Sequence, residues 1–314
     1  MPLLLFRRLA QLLVVLVIVS FLTLLMLRLQ PVNPAYAILG QSATKPQVAQ
    51  IDHQLGLDRP LIMQYLQWLG RALSGNLGTS LRTGQAVTGA LATSLPVTAE
   101  LVVFAELIAL AVAVPCGVYA AYRAGGLLDR LVNAVSSGLV GIPGFVLALV
   151  LVYLLAYRVR IFPATGWVAL SADPLGNLQH AILPAVTLAA VETAVFARVL
   201  RSDMYSTLRE NFVLAARAQG MPTSSVLWRT AFRPSAVSLT TLAGVSLGRL
   251  IGATVLVEII FALPGVGQLL VQAIYANDIV MVQGAVIVLV VAVVVINLLV
   301  DLFHLYLDPR IRAA

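Results

Sequence analysis

The chain has 314 residues, 60% of them hydrophobic and 11% charged, with a mean hydropathy of +0.97. A soluble domain carries roughly 45–50% apolar and about 25% charged residues, so too few polar side chains remain here to coat a water-facing surface, and lipid is the expected solvent. The net charge of +7 would suit nucleic acid, but the arginines stand between apolar runs and not along an exposed stripe with aromatics, which points to membrane topology and excludes nucleic acid as a partner.

Spanning the hydrocarbon takes about 20 apolar residues in a helix. The first such run is Leu9 to Leu29, behind Arg7 and Arg8. It is longer than the roughly 7–15 apolar residues of a secretory signal, so a retained membrane helix is expected over residues 1–30, although Ala35-Tyr36-Ala37 has the small-x-small form of a cleavage site. Residues 31–97 change composition: prolines, charges, Trp68 and the polar stretch Ser74-Gly75-Asn76-Leu77-Gly78-Thr79-Ser80 read as a water-exposed insert with one or two short helices, such as Pro60 to Leu73. Apolar runs then follow at Leu101–Tyr122, Leu131–Tyr157, His180–Leu200, Ala236–Phe261 and Gly284–Tyr306, giving residues 98–314 five spans and the all-α chain about six. Pro115 with Gly117, and Gly141-Ile142-Pro143-Gly144, interrupt two of them, as expected of bent helices. The single cysteine, Cys116, cannot form an internal disulfide and reads as a small buried hydrophobe.

Orientation follows from arginine and lysine in the short loops. With the N-terminus in the cytoplasm, the inner segments hold Arg7, Arg8, Arg123, Arg130, the arginines from Arg198 to Arg233, and Arg310 with Arg312. Four of the outer basic residues (Lys45, Arg59, Arg71 and Arg82) fall in the long insert, which weighs little in this rule, and the others are Arg158 and Arg160. Both termini are then cytoplasmic and the insert is extracytoplasmic.

Charge at membrane depth costs about 2.5–3.5 kcal/mol on insertion scales, so Glu106, Glu192, Arg249 and Glu258, within or at the ends of apolar runs, are candidates for a translocation pathway or gate. The competing reading is a structural Arg–Glu pair between helices, or a residue snorkelling to water. Glu258 lies near the outer end of its span and suits a gate better than a midplane site. The loop at about 202–235 is the other candidate. Phe212 to Ala218 can form a short Ala-rich helix stopped by Gly220, with Pro222 beyond, and Ser224 to Phe232 a second helix. Such a pair fits either docking into a groove of another protein or lying as a surface amphipathic hairpin.

This loop resembles the cytoplasmic loop of ABC importer permeases, whose pattern is Glu-Ala-Ala, three residues, then Gly. Ala215, Ala216 and Gly220 match it, with Leu214 at the Glu position. Ala216-Arg217-Ala218-Gln219-Gly220 resembles the Ala-Arg-Ala-Lys-Gly of the peptide-importer branch except at Gln219. Further stretches in family order are Gly56-Leu57-Asp58-Arg59-Pro60-Leu61, Gly75 to Ser80, Leu127-Leu128-Asp129-Arg130, Phe162-Pro163-Ala164-Thr165-Gly166, Val257 to Gly267 and Asn297 to Arg312. The resemblance covers nearly the whole chain and is to the dipeptide/oligopeptide permeases, in their first-permease form with a large outer insert. It implies the ABC type I importer permease architecture in a bacterial inner membrane, pairing with a second homologous permease. It also implies cytoplasmic ATP-binding subunits docking on Ala215, Ala216, Arg217 and Gly220, and an extracytoplasmic peptide-binding protein. ATP and Mg are expected on those partners and no cofactor on this chain, which has no G-x-x-x-x-G-K-[ST] loop.

Three rival readings remain at this stage, one of them a purely structural membrane subunit. An ion-gradient-driven transporter would use Glu106 and Glu192 but leaves the loop unexplained. An intramembrane enzyme or metal site is disfavoured, because His53, His180 and His304 are scattered and no acid–base pair stands out.

Overall fold

A computed structural model describes residues 2–29, 43–54, 58–80 and 82–307. Ala35-Tyr36-Ala37, Gly56-Leu57, Arg310 and Arg312 lie outside them. Among the described residues the regular structure is helical, with turns and loops between the helices and one isolated bridge between Thr79 and Ala86. In chain order the helices are α1 (Pro2–Arg28), α2 (Lys45–Gln54), α3 (Leu61–Leu73), α4 (Val87–Tyr122), α5 (Leu127–Gly141) and α6 (Gly144–Leu151, running on into a π-helical turn, Val152–Arg158). They continue with α7 (Pro174–Thr207), α8 (Asn211–Ala218), α9 (Thr223–Ile260), α10 (Val266–Tyr275) and α11 (Ile279–Leu307).

Four of these, α4, α7, α9 and α11, are long and apolar enough to cross a membrane, and α5 with α6 makes a fifth if the bent pair is one span. The third span breaks at the Gly141-Ile142-Pro143-Gly144 interruption expected from the sequence, into two helices meeting at 105°. The cause is local. Pro143 has no N–H to donate to the helix ladder, and it forces Ile142 into an extended conformation (φ −92°, ψ 125°). Proline is accommodated elsewhere: α4 runs through Pro115 and α7 through Pro184.

The chain forms two compact units, Met1–Thr98 with Pro264–Leu298, and Ala99–Leu263 with Leu299–Ala314. In the first, Val87, Ala90 and Leu91 of α4 pack with Val266 and Ala273 of α10 and Met281, Val282 and Ala285 of α11. Gly284 makes this approach possible, since a Cβ there would collide with the Val87 side chain. Asp278, 5% exposed, caps α11 by accepting from the Met281 N–H at 3.2 Å, and it also accepts from the Ser80 hydroxyl, pinning the polar Gly75–Ser80 stretch. A second cluster joins Leu24 of α1, Tyr65 and Trp68 of α3, and Ile287 of α11.

The second unit is built on small-residue seams. Ala105, Ala109 and Ala113 recur every four residues on α4 and are fully buried, and Ala181, Ala185 and Ala189 repeat the spacing on α7. Small side chains let helix backbones approach where lipid gives no hydrophobic drive for association. Asp173 caps α7 by accepting from the Leu175 N–H at 3.1 Å, with Pro174 at the first helical position. Asp129 of α5 and Arg201 of α7 form a two-pronged ion pair, Nε to Oδ1 at 2.9 Å and Nη2 to Oδ2 at 2.8 Å.

Candidate functional site: a polar cluster and a glycine-stopped turn

Three of the four charged residues singled out in the spans come together in the second unit. Glu106 of α4 is 7% exposed, and its Oε2 accepts from the Ser246 hydroxyl of α9 at 3.0 Å. Among the described residues its Oε1 is buried with no hydrogen-bond partner. Glu192 of α7, also 7% exposed, accepts from Arg249 Nη2 at 2.7 Å. Ser246 and Arg249 lie three residues apart on α9, so one helical turn supplies donors to carboxylates on two other helices. Glu106 also interacts electrostatically with both Glu192 and Arg249. The arrangement therefore realises the Arg–Glu pair that the sequence allowed. It leaves more on offer than a sealed pair would, because the Arg249 side chain stays 55% exposed while that of Glu192 is 9% exposed.

Glu258 does not join them. It is fully buried nine residues further along α9, about 13 Å away at 1.5 Å per residue. There its backbone carbonyl accepts from the Leu263 N–H at 2.8 Å, in the turn that ends the helix. Sequence reasoning missed Ser246, whose spacing from Arg249 was the available signal. It also missed the pairing of Asp129 with Arg201: both lie in segments noted for charge or motif, but nothing in their spacing marks them as partners.

The second site is the turn around α8. The helix occupies Asn211–Ala218, within one residue of the expected start. It ends as the sequence predicts: Gly220 adopts φ +79°, its N–H bonds the Arg217 carbonyl at 3.0 Å, and the Met221 N–H bonds the Ala216 carbonyl at 3.3 Å. Those two bonds make a Schellman motif, which needs a residue that tolerates left-handed backbone. Val213 and Ala216 face inward and are buried. Phe212 and Leu214 are about half exposed, and Ala215, Arg217 and Gly220 are exposed as well. So of the four loop residues expected to dock, three face outward and Ala216 faces the chain's own interior.

The second helix of the turn differs from expectation in that it is not separate. Thr223–Ser225, a π-helical stretch Val226–Ala231 and Phe232–Ile260 run on as one 38-residue helix. Trp228 locks its lower end between Tyr119 of α4 and Phe232, with ring centroids at 6.3 and 5.5 Å. The Ser235 hydroxyl donates to that of Thr207 at 2.9 Å, tying the helix to the end of α7.

Two family profiles cover almost the whole chain. The profile described as binding-protein-dependent transport system inner membrane component matches residues 113–313, and that of the corresponding N-terminal region matches residues 1–102. A Brucella abortus protein named for a peptide transport system permease is 40% identical over 312 residues, 99% of each chain. The di/tripeptide transport system permease protein DppB of Pseudomonas aeruginosa is 35% identical over 94% of each. The dipeptide transport system permease protein DppB of Alkalihalophilus pseudofirmus is 31% identical over 98% of each. The long apolar helices, the Gly-stopped turn and these full-length matches place the chain in the binding-protein-dependent transport system inner membrane component family, as a multi-pass inner-membrane permease.

Proposed function

We propose that the chain forms half of the translocation pathway of an ATP-driven importer for di- and oligopeptides. In this reading α1 and the bent α5–α6 pair join the four long helices to give six crossings, with both termini cytoplasmic. A second homologous permease completes the pathway, an extracytoplasmic binding protein delivers peptide, and cytoplasmic ATPases, carrying ATP and Mg, dock on α8. The family placement gives no support to the ion-gradient alternative.

The supporting observation is the unbroken α9. A push on α8 reaches its inner partner, the Val226–Ala231 stretch, and is carried along one rigid helix to Ser246 and Arg249, about 30 Å away at 1.5 Å per residue. Coupling requires a packed element and not a flexible one, and a continuous helix held at its base by Trp228 supports this reading. At the far end, the exposed half of the Arg249 guanidinium offers donors to a peptide carboxylate, with the Glu106 and Glu192 carboxylates nearby for an ammonium group. Ala215, Arg217 and Gly220 form the docking face, and Ala216 supports it from beneath. Glu258 is assigned to the gate end of the same helix.

The test is uptake of a labelled dipeptide by proteoliposomes that hold the chain with its co-purifying subunits. Uptake that needs ATP and the binding protein is expected. Uptake that persists without ATP under an imposed proton gradient would overturn the reading.

A further inference from the structure

The helix α3, Leu61–Leu73, lies in the insert that the sequence reads as water-exposed, yet it carries apolar residues beyond those that pack on the rest of the chain. Leu61, Tyr65, Trp68 and Ala72, at spacings of four, three and four, form the seam that packs on α1 and α11. A second series with identical spacing is shifted by one residue: Ile62, Leu66, Leu69 and Leu73. Three of its members stand largely free of protein, Ile62 at 67%, Leu66 at 59% and Leu73 at 81% exposure. The shift by one residue turns this second seam about 100° around the helix. Gln64, Gln67 and Arg71 occupy the remaining flank, so the polar and spare apolar residues are segregated on opposite sides of the docked seam.

The position of α3 decides what covers the spare seam. The Tyr65 hydroxyl lies 2.8 Å from that of Ser20 and donates to the Val17 carbonyl at 3.3 Å, while Phe21 meets the Tyr65 ring edge-on at 5.4 Å. Ser20 is well inside the apolar run of α1, about 12 Å from Arg28 at 1.5 Å per residue. At the same level α1 exposes Val17, Ile18, Leu22 and Met26, an apolar surface that meets lipid where α1 crosses the membrane, as the proposed function has it. The contacts of Tyr65 with Ser20 and Val17 hold the α3 stripe at the depth of that surface. At 13 residues α3 is too short to cross the bilayer, which takes about 20. A helix with one apolar and one polar flank, seated against a span below its end, suits the boundary between headgroups and acyl chains.

We propose that α3 is an interfacial helix whose Ile62–Leu66–Leu73 stripe is buried in the lipid of the extracytoplasmic leaflet, with Gln67 and Arg71 turned to the headgroups and water. Part of the insert is then a membrane-surface element that anchors α1, and not a soluble loop. The partner is lipid and not another protein, because the stripe stands at the depth of α1's own exposed apolar residues, inside the run that crosses the hydrocarbon in the proposed reading.

The test uses the assembled complex in proteoliposomes. A Cys116→Ala background carries one nitroxide-labelled cysteine at a time, at position 62, 66, 67, 71 or 73, and each variant is kept only if ATP-driven uptake persists. Collision rates are measured with oxygen, which concentrates in lipid, and with a water-soluble nickel chelate. The expected result is a several-fold excess of oxygen over chelate collisions at 62, 66 and 73, reversed at 67 and 71. Chelate-dominated collisions at all five positions would overturn the proposal in favour of a water-exposed helix. Shielding of 62, 66 and 73 from both reagents would overturn it in favour of a protein cover. If labels are tolerated only at 67 and 71, the unlabelled Leu66→Gln variant decides. Unchanged thermal stability of that variant in both liposomes and detergent supports the water-exposed reading, and a loss of stability that appears only in liposomes supports lipid burial.

Discussion

Arg249 reaches across from α9 to Glu192 on α7 at 2.7 Å while leaving more than half of its own side chain exposed. A pair serving only to hold two helices together gains nothing from that exposure, whereas a peptide-binding donor requires it. The two roles separate in a double-mutant cycle. Arg249→Ala leaves the Glu192 carboxylate buried and unpaired, and costs about 1–2 kcal/mol, below the full penalty for a buried pair because the guanidinium half-faces solvent. Adding Glu192→Gln removes the stranded charge and restores most of the stability, read from thermal unfolding of the purified complex. Uptake stays low in the double variant if Arg249 contacts peptide. Recovery of uptake together with stability would assign the pair a structural role alone.

The Asp129–Arg201 pair is the more enclosed of the two, with the Arg201 side chain 26% exposed. The Asp129 side chain is 6% exposed and also accepts from the Gly125 N–H at 2.8 Å and from Asn133 Nδ2 at 2.9 Å. Asp129→Ala strands the Arg201 fork and the Gly125 N–H, while Asn133 Nδ2 keeps its bond to the backbone carbonyl of residue 129, and it costs about 3 kcal/mol. Arg201→Ala leaves Asp129 two of its partners and costs less. Arg201→Lys falls between the two, because an ammonium group cannot make the two-pronged contact. Thermal unfolding of the three variants checks the order, and equal losses from Asp129→Ala and Arg201→Ala would contradict it.

How far the sequence discloses these sites depends on the range of the interaction. Local chemistry was legible. The Gly220 stop, the short helix before it and the break at Ile142-Pro143 all follow from residues within one turn. The 105° angle at that break did not follow, because tertiary packing sets the direction the chain takes after a proline. Nor did Ser246 facing Glu106, which depends on the rotation of two helices whose apolar composition is nearly uniform around the axis. The continuity of the turn's second helix with α9 was missed for another reason: Pro234 follows the expected end at Phe232 and reads as a boundary, yet the helix runs through it. In α3 both apolar seams stood in the sequence, but only the contact of Tyr65 with Ser20 shows which one is docked.

Gly220 makes the local prediction sharp. Its φ of +79° costs an L-residue with a Cβ about 1–2 kcal/mol. Gly220→Ala should therefore fray the last turn of α8 and uncouple ATP hydrolysis from uptake, with membrane insertion unchanged. Gly220→Asn, which tolerates this conformation better, should keep most of the coupling. Equal ATPase-to-uptake ratios in the wild type and Gly220→Ala would show that the turn does not need this backbone.

Ala215 and Ala216 are adjacent in the chain but face opposite ways, one outward and the other against the protein's own interior. A bulky side chain should therefore act differently at each. Ala216→Trp cannot fit beside Val213, which is fully buried. It should lift α8 from the Val226–Ala231 stretch, lowering thermal stability by about 1–3 kcal/mol and abolishing uptake while the chain still inserts. Ala215→Trp leaves the fold untouched and should fail only at docking: normal thermal unfolding of the isolated permease, and loss of the ATPase subunit on mild-detergent purification. If Ala215→Trp retains the ATPase and full uptake, the docking face lies elsewhere on the turn, and Phe212 and Leu214 are the next residues to substitute.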